Sequence, residues 1–380
     1  MPKSKVILLS KKYPPQKCGV ADYTIQLSKH LTADADVCIL TEKDTSQADN
    51  VIATNFVWSF KNTYRLYTYI KKTKADTVVL QYVPYLFNKR GIAFWLIGLF
   101  VLLNLSGIKC ITHFHELAVR FRISHPKQLV FSFLQYTIAF FLGVLSTGCI
   151  TSIDYYYIRI KRFNANTKQA AIPSNISMLE TSAQMEERIV EIKNKHPFIM
   201  LCFGNHNHQF LIEACALLKK EGYAFYLILM GAINDRDLKQ IKSLIAEHAL
   251  QQHVLCTGFV SEWDVNCYFK SADLYVQVES LTNKGEGGLC AKSGSLATAY
   301  QFGLPVMGTK GDITESFFKD EENVFFIYNY TPAAIAERLK AIISNPEIRH
   351  QVAARAQDVY KNHMSWNHTI RCYEELLSSQ

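Results

Sequence analysis

Short apolar, β-branched runs alternate with longer stretches of helical spacing through the first half of the chain, and the same alternation returns in the second half. Apolar runs predict strands over Lys5–Ser10, Ala35–Leu40, Thr77–Gln81, Ile108–Phe114 and Cys149–Ser152, with helices over Asp22–Leu31 and Ser59–Lys72 between them. The second series runs through Phe198–Phe203, Tyr226–Met230, Val254–Thr257, Leu274–Val278, Pro305–Gly308 and Val324–Ile327, and ends in a helical segment, Pro332–Ser344. Strands that alternate with helices in this way predict an α/β fold with parallel sheets covered on both faces. The run Ala171–Asn175 (AIPSN) and the Glu- and Lys-rich stretch after it interrupt the alternation, so 1–171 and 196–361 are expected as domains and 172–195 as a linker. Two doubly wound domains in succession are expected to turn the C-terminal ends of their strands, where such sheets bind ligands, toward a shared cleft.

Two uncharged apolar stretches, 91–107 and 128–152, add a second theme. The longer has the length and hydropathy of a bilayer span. Its internal Gln135, Thr137, Ser146 and Thr147, and the strand-like Cys149–Ser152 that closes it, favour a core or membrane-grazing helix instead. The opening run Val6–Leu9 reads as a strand and is too short for the apolar region of a signal peptide.

At 380 residues, 49% apolar and 19% charged, the chain has the composition of a folded protein of more than one core. Its charge is unevenly divided. Residues 1–170 hold 22 Lys and Arg against nine Asp and Glu, a net of +13, whereas residues 171–380 hold 19 against 24, a net of −5. The basic half points to an anionic partner, such as phospholipid headgroups or a phosphate-bearing acceptor, or is simply a solvated surface. No aromatic-basic motif accompanies the charge, so nucleic acid is not an expected partner. The ten cysteines are scattered without a CxxC pair, as reduced thiols of a cytoplasmic protein are.

Three segments carry candidate chemistry. Tyr13–Tyr23 (YPPQKCGVADY) follows the first strand and opens a helix, so its amides and the positive helix end suit an anionic group, with Gly19 permitting close approach; a plain strand-to-helix turn is the alternative. His113, Phe114 and His115 end a strand, and their alternation sets both imidazoles on one face, with Glu116 near enough to fix a tautomer. A structural histidine is the simpler reading there, and the spacing is not that of a metal site. The third segment, Glu279–Gly288 with Lys292-Ser293-Gly294-Ser295, gathers glycine, serine and lysine between a strand and a helix. A helix that starts at Gly294 and Ser295 offers unpaired amides and hydroxyls to a diphosphate, and Lys292 adds a point charge. Its alternative is an ordinary surface loop.

Tyr13–Tyr23, Gly258-Phe259-Val260, Ala272-Asp273-Leu274 and Gly303-Leu304-Pro305-Val306 together resemble glycosyltransferase family 4 over nearly the whole chain. The resemblance implies a GT-B fold of two Rossmann-like domains, an N-terminal acceptor side and a C-terminal nucleotide-sugar side. It implies retaining transfer without a metal or other cofactor, from a nucleotide-sugar such as a UDP- or GDP-sugar. The acceptor it implies is a saccharide or a polyprenyl-linked molecule in cell-surface polysaccharide synthesis. Gly19 then belongs to the first glycine loop, Gln81 to a strand-end loop, and His115 reaches the donor sugar. Asn205 falls in the loop after Gly204, and Trp366 in a closing segment, 362–380, that returns to the first domain.

Two departures stand out. Thr298 occupies the position of the family's second glutamate, leaving Glu279 or Glu286 as the first, and Gly204-Asn205-His206-Asn207-His208 lacks the usual Arg and Lys. A variant pattern, Lys292-Ser293-Gly294-Ser295-Leu296, supplies serines in place of the carboxylate. The expected machinery is therefore His115, Glu286 and Lys292 for catalysis, and Gly19, Gln81, Asn205, Ser293, Gly294 and Ser295 for substrate. The enzyme is expected in the cytoplasm or on the inner face of the cell membrane, its basic N-domain against an anionic surface. Rival readings are a catalytically inactive GT-B saccharide-binding or scaffold protein, and a nucleotide-sugar epimerase of the same fold.

Overall fold

A computed structural model describes residues 3–14, 16, 18–32, 35–43, 50–122, 126–204, 208–282 and 284–378. The chain divides into two compact units, Met1–Ala171 with Trp366–Gln380, and Ile172–Ser365.

The first unit is built on strands β1 (Ser4–Leu9), β2 (Ala35–Thr41), β3 (Val51–Ala53), β4 (Thr77–Tyr82), β5 (Lys109–Phe114), β6 (Gly148–Thr151) and β7 (Thr167–Gln169). All pair in parallel in the order β3-β2-β1-β4-β5-β6-β7. Val6–Leu9 and Val78–Leu80 are wholly buried, because a parallel sheet is covered on both faces and its inner strands read as continuous apolar runs. Its helices are α1 (Gly19–Leu31), α2 (Thr63–Lys72), the single turn α3 (Pro84–Phe87), α4 (Trp95–Leu105), α5 (Pro126–Leu145) and α6 (Asp154–Ile160). α4 packs on both α2 and α5, which sets these three in one layer. α5 is long and apolar enough by composition alone to cross a membrane, yet its Ile138, Ala139 and Leu142 belong to the core beneath the layer.

The second unit adds α7 (Ala183–Lys195), β8 (Ile199–Phe203), α8 (Gln209–Lys220), β9 (Tyr226–Met230), α9 (Asp235–Glu247), β10 (Val254–Gly258), α10 (Glu262–Ser271), β11 (Leu274–Gln277), α11 (Gly294–Gln301), β12 (Val306–Thr309), β13 (Phe325–Ile327), α12 (Pro332–Ile343) and α13 (Pro346–Val359). Its sheet, again wholly parallel, runs β10-β9-β8-β11-β12-β13. In both sheets the strand order reverses beside the first strand, at β1/β4 and at β8/β11, which is where doubly wound sheets bind ligands.

Residues 172–195 are not a free linker but part of this unit. Ser182 caps α7 by accepting from the Met185 amide at 3.3 Å, and α7 packs on α10 with Met185 and Ile192 buried. Asn266 accepts from the Leu179 amide at 2.9 Å and Lys270 donates to the Leu179 carbonyl at 2.7 Å, tying the preceding segment to the same helix. The Glu- and Lys-rich composition is the solvated side of an amphipathic helix. The chain then returns to the first unit through α14 (Trp366–Ser378), which packs on α1. All ten cysteines are free thiols.

Candidate functional site

In the first unit the loop after β1 leads to α1, whose first residue is Gly19. Cys18 before it is extended (φ −158°, ψ 114°) and caps nothing, so the helix start depends on no side chain of its own. A Cβ placed on Gly19 would have no atom within 4 Å. One turn on, the buried Tyr23 lies edge-on to both His113 (5.2 Å between ring centres) and His115 (5.0 Å). The two imidazoles stack at 3.9 Å, on one side of the chain as the alternation at the end of β5 requires.

Gln81 stands opposite His113 in the register of β4 and β5, and its Oε1 lies 2.8 Å from His115 Nε2. An amide oxygen only accepts, so His115 carries a proton on Nε2 and Gln81 orients the ring. His113 Nδ1 lies 2.7 Å from the Tyr373 hydroxyl, and burial lowers its pKa to about 3, which keeps it neutral. Trp366 stacks on Tyr23 at 5.3 Å and on His30 at 4.8 Å, so the returning helix α14 braces the histidine pair. His115 and Gln81 are thereby brought together, with Gly19 on the helix that carries their packing partner.

In the second unit, Asp273 precedes β11 and joins it to β8, its carboxylate accepting from the Ile199 amide at 2.8 Å. At the other end of β11 a polar chain begins. Gln277, only 2% exposed, donates from Nε2 to Glu279 Oε1 at 2.9 Å and accepts at Oε1 from the Ser293 hydroxyl at 3.2 Å. Ser293 Oγ also accepts from the Leu296 amide at 3.2 Å, so it is the N-cap of α11. The two serine hydroxyls touch at 3.0 Å, and that of Ser295 also hydrogen-bonds the buried Tyr275. The Ser293 amide is engaged too, with the Cys290 carbonyl at 3.2 Å. Among the described residues, the Gly294 and Ser295 amides have no hydrogen-bond acceptor, as expected of the first turn of a helix.

The glycines upstream do something other than offer amides. Gly288 has φ +97°, and a Cβ on it would stand 2.5 Å from Gly311 N, while a Cβ on Gly311 would stand 1.9 Å from the Gly287 oxygen. The Gly287 amide donates to Asp312 at 2.9 Å and the Leu289 amide to the Thr309 carbonyl at 2.8 Å. Gly285–Gly288 is therefore folded backbone to backbone against the loop after β12. Glu286 lies within the Gly285–Gly288 segment, its Oε2 accepting from the Thr282 hydroxyl at 3.4 Å. Lys292 is half-buried immediately before the α11 cap. Thr298, at the position of the absent glutamate, is buried and lies 2.8 Å from the Ser174 hydroxyl while donating to the Gly294 carbonyl at 2.9 Å. Asn205 lies outside the described residues.

Two contributors escape a reading of sequence. Glu315, fully buried, accepts from the Ala291 amide at 2.9 Å and fixes the segment entering α11. Gln277 organises the cap, and its only sequence signal is a polar residue breaking the apolar run of β11. Chemically, the α11 start combines two open amides, a hydroxyl and a nearby ammonium, a set suited to phosphate oxygens.

Residues 184–359 match the family model of glycosyl transferases group 1. No curated protein matches the chain. Among solved structures, the chain is similar to Anabaena HepE in complex with UDP, at a TM-score of 0.73 and 15% identity over 99% of this chain and 100% of that one. It is similar to sucrose-phosphate synthase from Thermosynechococcus elongatus, at 0.69 and 14% over the whole of both chains. A glycosyltransferase from Rickettsia africae gives the same four figures. The chain thus has the GT-B fold, two Rossmann-like domains, and the greater part of its second domain matches the group 1 glycosyl transferases.

Proposed function

We propose that this protein is a retaining glycosyltransferase of family 4, which moves a hexose from a nucleotide-sugar to a saccharide or lipid-linked acceptor in cell-surface polysaccharide synthesis. The observation that carries the reading is the α11 start, with the open amides of Gly294 and Ser295, inside a region that matches the group 1 glycosyl transferases. The capture of UDP by HepE, which shares this fold, supports a nucleotide diphosphate as the ligand.

In this reading Gly294, Ser295 and Lys292 take the diphosphate, and Ser293 holds the cap that aims them. The bond from the sugar carbon to the diphosphate breaks through an oxocarbenium-like state. The acceptor hydroxyl attacks the same face and passes its proton to the departing phosphate oxygen. The protein supplies preorganised donors where negative charge develops, not a nucleophile. His115, its ring held by Gln81, contacts the sugar, Gly19 gives the anionic ligand close approach, and Glu286 takes a sugar or ribose hydroxyl. Asn205 joins the substrate contacts.

Incubation with a panel of UDP- and GDP-sugars and saccharide acceptors, with product detection by mass spectrometry, tests the proposal. Transfer from one donor is the expected result. Binding of a nucleotide-sugar without transfer or hydrolysis would favour the second reading, an inactive saccharide-binding module, which the buried Thr298 at a carboxylate position motivates. Conversion of the donor sugar without acceptor would mark an epimerase.

A further inference from the structure

The outer side of the α4–α5 layer inverts the usual order of an amphipathic helix. Beyond the exposed Pro126 and Lys127 of its first turn, the exposed positions of α5 follow helical spacing and are all apolar, Val130, Phe133, Phe140, Phe141 and Val144, with the half-buried Thr137 on the same side. Phe133 is 63% exposed. The polar residues point inward instead. Ser132 donates to the Arg120 carbonyl at 3.1 Å, and Gln135 accepts from the Val119 amide at 2.9 Å. A second stripe lies on the neighbouring α4, Val101 and Leu105, the last 81% exposed, with the exposed Phe94 just before the helix. Asn104 donates to the Leu145 carbonyl at 2.8 Å, which joins the C-terminal ends of the two helices and sets the stripes side by side. Exposed apolar side chains gathered on neighbouring helices of one layer mark an interaction site.

What surrounds the face is basic. Residues 57–163 contain 14 Lys and Arg against three Asp and Glu, and neither α4 nor α5 holds an acidic residue. Lys71 and Lys72 end α2, the next helix in the layer, Lys127 opens α5, and the backbones of Arg90 and Arg120 adjoin α5 through Gln135 and Ser132. An apolar face with cations at its margin complements a bilayer in which acyl chains lie below anionic headgroups. A second protein of matching shape would need acidic residues at its margin, and a second copy of this chain would bring like charge to like.

We propose that this face seats the first unit on an anionic membrane surface, with the α5 phenylalanines at headgroup depth and α5 lying in the plane of the leaflet. The helix does not span, because Ile138, Ala139 and Leu142 on its other side are held in the unit's core. Seating of this kind is independent of sugar transfer, so it stands or falls without the catalytic reading.

The test is flotation of the full chain with phosphatidylcholine vesicles, with and without phosphatidylglycerol, at low and high salt. The expected result is co-flotation with the anionic vesicles, weakened by salt. Phe133→Ser with Phe141→Ser should lower partition about tenfold or more while the melting temperature falls only slightly, since Phe133 is mostly and Phe141 nearly half exposed. Lys72→Glu with Lys127→Glu should lower binding several-fold per site on anionic vesicles alone. A tryptophan introduced by Phe133→Trp should shift its emission to the blue when vesicles are added. Protein that stays in the soluble fraction with both lipids overturns the proposal. So does flotation unaffected by the phenylalanine changes, or a stable dimer in sedimentation that Phe133→Ser dissociates.

Discussion

Ser293 and Ser295 stand two residues apart at the start of α11, touch each other, and should fail in different ways when truncated. Ser293→Ala removes the N-cap, worth about 1 kcal/mol. It also leaves Gln277 Oε1, buried at 2% exposure, without its donor, at roughly 1–3 kcal/mol. For a unit the size of Ile172–Ser365, at about 2–4 °C per kcal/mol, the melting temperature should fall by on the order of 10 °C. Ser293→Asn, which restores a cap, should recover part of that loss. Ser295→Ala deletes a hydroxyl that touches Ser293 and also hydrogen-bonds the buried Tyr275, but it leaves the cap in place, so it should lower the melting temperature by less, about 5 °C at most. If the Ser295 hydroxyl instead turns to the diphosphate when donor binds, turnover should drop about a hundredfold. Scanning calorimetry and initial rates with the best donor separate the two effects. A Ser293→Ala protein that melts like wild type would refute the cap, and a Ser295→Ala enzyme of normal turnover would refute the diphosphate contact.

Three further expectations follow from the same geometry. Gly288→Ala forces a side chain at φ +97° into the Gly311 backbone, and should cost upward of about 3 kcal/mol in a denaturant melt, whereas Gly19→Ala, with open space around its Cβ, should leave stability unchanged or raised by up to about 1 kcal/mol while weakening ligand binding. His113 stays neutral in the folded protein down to about pH 3 but takes a proton near pH 6.5 when unfolded, so the unfolded state binds more protons in that window and stability must fall as pH falls through it. Urea melts between pH 6.5 and 4 should show a slope of up to about 1.4 kcal/mol per pH unit from this group, absent in His113→Gln.

Most inner strands were legible because burial on both faces makes them continuous apolar runs. Tyr226–Met230 is read to the residue, and Ala35–Leu40 and Thr77–Gln81 to within one. β3 and β7 escaped because each is three residues long, and Thr167-Lys168-Gln169 has no apolar side chain to register a period. α7 reads as a linker in sequence because only Met185 and Ile192 of its thirteen residues are buried, too weak a stripe beside its charges. The α11 start was readable from serine and glycine before a helical run, since capping is a local matter. The role of Gly288 was not, because the atoms that demand glycine there belong to Thr309 and Gly311, more than twenty residues away. The Gln81–His115 pair and the bracing by Tyr373 and Trp366 likewise depend on strand register and on the chain's return, which no local pattern encodes.

The claim on which the rest depends is that a nucleotide diphosphate binds the open amides at the start of α11, and one substitution isolates it. Gly294→Pro deletes an N–H at the first helical position, where proline is tolerated, and Ser293 before it already has the extended backbone that proline requires (φ −88°, ψ 109°). Isothermal titration of wild type and Gly294→Pro with UDP, GDP and their sugars, each protein first shown to melt normally, reads the loss of a single amide. The expected result is binding of one nucleotide by wild type and an affinity lower by about tenfold or more in the variant, as for one hydrogen bond to a charged group. Equal affinity in the two proteins, or no heat from wild type with any nucleotide, would contradict it.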